Sequence, residues 1–151
     1  MVLQYPLPNH RSANEYQMSG LPFVTSSAGS GEVAAKTGTA LEVKFPSVTR
    51  WVHLTNIGAA DMRVGFTANG VKTIGSDGPY NLTGSGGRYF ILPAGDNGTP
   101  TSVRLELKCM SVFFLSNTGT ETDFSLVAGL TGIAESQFLR LTGSQGFSGI
   151  G

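Results

Sequence analysis

The spacing of the apolar residues is what most constrains this chain. Leu41, Val43 and Phe45 alternate with Glu42 and Lys44. Val48, Arg50, Val52 and Leu54 fall on one side of the next run, with Thr49, Trp51, His53 and Thr55 on the other. Met62, Val64 and Phe66 follow, then Val103, Leu105 and Leu107 set against Arg104, Glu106 and Lys108, and finally Phe124, Leu126, Ala128 and Leu130. Period two sends successive side chains to opposite faces of an extended backbone, so each run reads as a strand with one buried face. Nothing sustains the 3.6-residue period of a long helix. The 21 glycines, 15 serines and 15 threonines point the same way, being turn formers and poor helix formers.

Between the runs lies turn chemistry. Leu21–Thr25 reads as a short strand in which Pro22 marks a sheet edge. Asn56–Ala59 and Asn117–Gly119 turn the chain, and Asn69–Gly70 predicts a tight hairpin because both residues tolerate positive φ. Tyr89–Leu92 reads as a buried strand closed by Pro93. The alternation slips near Met110–Ser111 before Val112–Leu115, which predicts a bulge or tight bend. The result is about eight strands and an all-β fold: a single eight-stranded jelly roll, an antiparallel β-sandwich. An immunoglobulin-like sandwich is the runner-up, although one cysteine cannot supply its Cys…Trp…Cys spacing. The expected inward set is Val43, Phe45, Val52, Leu54, Val64, Phe66, Leu105, Leu107, Leu126 and Ala128. The expected organisation is an N-terminal arm over residues 1–20, a sandwich over 21–142 and a Gly-rich tail over 143–151. Pro6 and Pro8 bar the arm from helix and from a central strand.

Charge then narrows the function. Charged residues are 13% of the 151, and ten basic residues balance ten acidic ones. Phosphate-clamping modules carry a basic surplus, so nucleic acid is not an expected partner. The first residues have neither the basic flank nor the apolar run of a signal peptide, and no stretch approaches a membrane span; a soluble protein made inside the cell is expected.

The chemistry-bearing residues are scattered. His10, His53 and the lone Cys109 have no metal-site spacing. Asp61, Asp77, Asp96, Glu106 and Asp123 are isolated, whereas a glycosidase needs two carboxylates across one bond. Cys109 sits in an apolar run and reads as a buried small hydrophobe. Gly84–Gly87 lacks the Lys-Ser/Thr of a phosphate loop. No enzyme, metal or cofactor is expected. The sequons at Asn81 and Asn97 read as chance matches. Gly, Ser and Thr suit surfaces that another chain approaches closely, and zero net charge favours association. Tyr5, Leu7, Arg11 and Tyr16 of the arm, with Phe147 and Ile150 of the tail, are the expected subunit contacts. The alternative is a small carbohydrate- or partner-binding β-sandwich module, for which Trp51 and Tyr89 would be the aromatic platform.

Three stretches carry a resemblance: Phe45-Pro46-Ser47-Val48-Thr49-Arg50-Trp51-Val52, Val103-Arg104-Leu105-Glu106-Leu107-Lys108-Cys109, and Phe124-Ser125-Leu126-Val127-Ala128-Gly129-Leu130-Thr131-Gly132-Ile133. In order and spacing the chain resembles, over roughly residues 21–146, the single jelly-roll penton (vertex) capsid proteins of large icosahedral double-stranded DNA viruses. The resemblance implies a homopentamer at each vertex of the virion, touching the major capsid protein and other minor capsid proteins. It implies assembly inside the host cell, no direct membrane span and no catalytic residues. The short loops leave little room for a receptor-binding insertion.

Overall fold

A computed structural model describes residues 20–27, 40–72, 87–95, 98–118 and 120–138. The expected arm, apart from Gly20, and the 142/143 boundary of the tail lie outside them. The described chain is an all-β sandwich of eight strands: β1 (Leu21–Ser26), β2 (Leu41–Lys44), β3 (Thr49–Asn56), β4 (Met62–Gly65), β5 (Phe90–Leu92), β6 (Thr101–Leu105), β7 (Ser111–Ser116) and β8 (Phe124–Leu130). The first sheet has the order β1-β8-β3-β6 and the second β2-β7-β4-β5. All pairings are antiparallel, and β1 meets β8, β2 meets β7, β3 meets β6 and β4 meets β5. The pairing is nested, like one long hairpin wound across two layers.

Register explains the core. Phe23, Ala128, Val52 and Leu105 stand in one inward row of the first sheet; Thr25, Leu126, Leu54 and Val103 form the next. Leu41, Phe114, Val64 and Phe90 face them from the second sheet. Of the expected inward set, Phe45, Val52, Leu54, Val64, Leu126 and Ala128 are buried, and Val43, Phe66, Leu105 and Leu107 are half-buried against them. Each fully buried side chain of this size contributes roughly 1.5–3 kcal/mol through area removed from water. Aromatic contacts knit the layers: Phe23 meets Phe45 edge-on at 5.2 Å, and Phe114 stacks on Phe124 at 4.5 Å.

Three expectations are corrected and a fourth is met. Val48 and Thr49 are both fully buried, because a bulge between Thr49 and Trp51 breaks the alternation and Arg50 becomes the extra residue. Asn69–Gly70 forms no hairpin but lies in a single helical turn, α1 (Ala68–Val71), where the Thr67 hydroxyl accepts the Gly70 N–H at 2.9 Å. The Tyr89–Leu92 strand is only half buried: pairing begins at Phe90, and Ile91 is 46% exposed on the outer face. The expected bend is present at Met110, on the passage from β6 in one sheet to β7 in the other.

The two outer faces differ. On the second sheet, Gly65 has no side chain, and a Cβ there would stand 2.7 Å from Val71 Cγ1. The gap lets Val71 of α1 settle onto the sheet fully buried. The Arg88 N–H then bonds the Gly70 carbonyl at 2.8 Å, and the Arg63 guanidinium lies 4.7 Å from the centre of the Tyr89 ring. The described parts of the β4–β5 connection thus cover the part of that face around Gly65 and Arg63. On the first sheet, two outward rows run across all four strands without a buried member: Val24–Val127–His53–Arg104 and Ser26–Ser125–Thr55–Ser102.

Candidate interaction surface

The half-open outer face of the first sheet is the candidate interaction surface among the described residues. Its upper row runs Pro22–Gly129–Trp51. At its β6 margin the Arg104 guanidinium lies 4.4 Å from the centre of the Trp51 ring, and its Nε bonds Glu106 Oε1 at 2.7 Å. Both ends of that ion pair are about half exposed, so its net worth is at most about 1 kcal/mol; it orients Arg104 and Trp51 more than it stabilises the fold. His53 stands between Val127 and Arg104 with no carboxylate opposite in either register. At the other margin, β1 ends the sheet. Ladder alternation sets its backbone: Ser27 bonds Phe124, so Leu21, Phe23 and Thr25 face β8 while Pro22 and Val24 turn to the edge. Pro22 puts its missing N–H there, where no ladder bond is lost. Leu21 and Val24 on this strand are 64% and 66% exposed.

The expected subunit contacts Tyr5, Leu7, Arg11, Tyr16, Phe147 and Ile150 all lie outside the described residues, as do His10, Asp77 and Asp96. Asp61 and Asp123 are engaged in holding the fold. Asp61 Oδ1 accepts the Ala94 N–H at 2.9 Å. Asp123 Oδ1 accepts the Ser27 hydroxyl at 3.3 Å, and the Asp123 carbonyl receives Ile57 and Gly58. Trp51 and Tyr89 do not form a common platform: Trp51 belongs to the first sheet, whereas Tyr89 packs with Arg63 against the second. Among the described residues no three His, Cys, Asp or Glu side chains converge on a point that could hold a metal ion. No described helix is long and apolar enough to cross a membrane.

Cys109 is a buried free thiol. Thr49 Oγ1 accepts the Cys109 N–H at 3.0 Å and sits 3.3 Å from Sγ. Burial pushes the thiol up to about 11, and the Thr49 hydrogen bond only partly opposes it. An aromatic disulfide reagent at neutral pH is therefore expected to release no thiolate from the folded protein and one equivalent after unfolding in urea. The unfolded thiol ionises near 9 and the folded one near 11, so this group's contribution is intact below about pH 9 and is lost as pH rises towards 11. The loss is on the order of 2 kcal/mol. Urea midpoints on both sides of that window should fall less in Cys109→Ala than in the wild type.

The three stretches that carry the sequence resemblance meet at one end of the sandwich. Val48 N–H bonds the Ile133 carbonyl at 3.0 Å, Thr131 N–H bonds the Val48 carbonyl at 2.8 Å, and Thr49 N–H bonds the Cys109 carbonyl at 3.0 Å. Ser47 Oγ donates to the Thr131 carbonyl at 2.8 Å, and Lys44 pairs with Glu135. The backbone bonds carry the β3–β8 and β3–β6 pairings of the first sheet past the strand ends. No protein-family model, curated protein or solved structure matches the sequence.

Proposed function

We propose that the sandwich is a jelly roll and that the protein is a structural subunit of a viral capsid, a homopentamer closing the five-fold vertices of an icosahedral shell against the major capsid protein. The observation that carries this reading is the nested pairing of β1 with β8, β2 with β7, β3 with β6 and β4 with β5 across two four-stranded sheets. That winding makes a closed wedge of two layers, a shape that packs around a symmetry axis through head-to-tail contacts that close. Jelly rolls host unrelated functions, so the surface must supply the rest. Here one outer face is partly covered by its own chain, the other is half open, and its edge strand exposes Leu21 and Val24. Such an edge favours burial against another subunit. The separation of Trp51 from Tyr89 weighs against a sugar-binding platform.

Size-exclusion chromatography with light scattering, followed by native mass spectrometry, tests the proposal. Five copies per particle, with rings by negative-stain microscopy, is the expected result. A protein that stays monomeric at high concentration and binds a glycan array would replace this reading with that of a binding module.

A further inference from the structure

We propose that Asn69–Gly70 is a latent deamidation site that the fold holds shut through Thr67. The inference stands independently of the capsid reading. An asparagine followed by glycine is the dipeptide most open to this reaction, because no side chain shields the glycine nitrogen. The Gly70 backbone nitrogen gives its proton to hydroxide and attacks Cγ of Asn69. The new C–N bond closes a five-membered succinimide as the bond from Cγ to Nδ2 breaks and ammonia departs. Water then opens the ring at either carbonyl, leaving aspartate or isoaspartate. One water is consumed, one ammonia is released, and nothing is oxidised or reduced.

The structure opposes the first step at the nucleophile. Asn69 is exposed, so water reaches its amide, but Gly70 is buried. The Gly70 N–H donates to Thr67 Oγ1 at 2.9 Å. The Asn69 carbonyl, on the other side of the same peptide plane, accepts the Lys72 N–H at 3.2 Å, and the Gly70 carbonyl accepts the Arg88 N–H at 2.8 Å. Ring closure must rotate this plane about ψ of Asn69 out of the helical well, breaking the first two bonds together. The reaction therefore proceeds from the open state of the turn, and its rate reads how often the cover over the second sheet lifts. The product puts a carboxylate in place of the exposed Asn69 amide, or an extra methylene in the backbone of the turn, next to the buried Gly70 and Val71.

Peptide mapping by mass spectrometry during incubation at mildly alkaline pH tests this, with the full-length protein folded or held unfolded in urea. Conversion at Asn69 should be about tenfold or more slower in the folded wild type. Thr67→Val removes the cap and should speed it by roughly two- to thirtyfold, the span expected for loss of an N-cap. Thr67→Ser keeps the hydroxyl and should match the wild type. Amide exchange at Gly70 should follow the same order, and this, with the folded-to-unfolded ratio of the wild type, decides the matter if Thr67→Val fails to fold. Equal conversion in folded and unfolded wild type, or a folded Thr67→Val protein that converts no faster, would overturn the proposal.

Discussion

Asn56→Leu is expected to cost roughly 3–5 kcal/mol, enough to leave a domain of ordinary stability close to unfolding. Asn56 is fully buried at the end of β3. Its NH2 lies 2.9 Å from the Ala60 carbonyl, 3.1 Å from that of Leu92 and 3.0 Å from that of Pro93. Its Oδ1 accepts the Gly58 N–H at 3.1 Å and the Thr122 hydroxyl at 3.0 Å. One side chain therefore ties together the β3–β4 turn, the end of β5 and the approach to β8. Leucine fills similar space but leaves these buried groups unmatched, and each carries a desolvation penalty of about 1–3 kcal/mol. Gly58 is packed closely into the same cluster, where even a Cβ would collide with Thr122 and the Asp123 backbone. Asn56→Asp sharpens the test. It keeps an acceptor for Gly58 and Thr122 but turns a second oxygen towards three carbonyls. Its folded carboxyl should titrate above the unfolded value of about 3.9. The penalty is then absent below that value and grows as pH rises, so acidification should partly rescue this variant and not Asn56→Leu. Urea midpoints at neutral and acid pH check both; equal midpoints for wild type and Asn56→Leu would remove Asn56 from its central place.

The second large effect is expected at Phe114. It is fully buried on β7, stands in register between Leu41 and Val64, and stacks on Phe124 across the two sheets at an interplanar angle of 27°. Phe114→Ala removes the ring, its partner's stacking and the filling between the layers, for roughly 3–5 kcal/mol. In a protein of this length that lowers the melting temperature by roughly 6–20 °C. An unchanged melt would mean that the two sheets do not close on this ring.

Much of the framework could be read from spacing alone, because burial on one face of a strand leaves a two-residue signature. Leu126 and Ala128 are inward for that reason, as are Val52 and Leu54. The reading fails where a polar residue is buried with its hydrogen bonds met. Thr49 looks solvent-facing until Cys109 and Leu107 are seen to satisfy its hydroxyl, and Asn56 looks like any turn residue until five partners surround it. Asn69–Gly70 misleads because its turn is chosen by Thr67 and by the space above Gly65, both outside the dipeptide. The interaction surface was less legible still. Trp51 and Tyr89 are equally aromatic in the sequence, and only the strand order assigns them to opposite layers.

The nested pairing also prescribes a route by which the polypeptide reaches this structure. Val64 meets Phe90, Leu54 meets Val103, Val43 meets Val112 and Phe23 meets Ala128, so the pairs enclose one another like successive stitches of a seam. Closing the innermost pair first brings the ends of the next within reach, and each stitch lowers the loop-closure entropy of the one outside it. The outermost pair spans nearly the whole domain, so this protein is expected to fold among the slow, non-local folders, in milliseconds to seconds by stopped-flow. Until that outermost stitch is made, β8 carries an open flank, and the side of the molecule left unsealed until then is the one that a neighbouring copy can reach first.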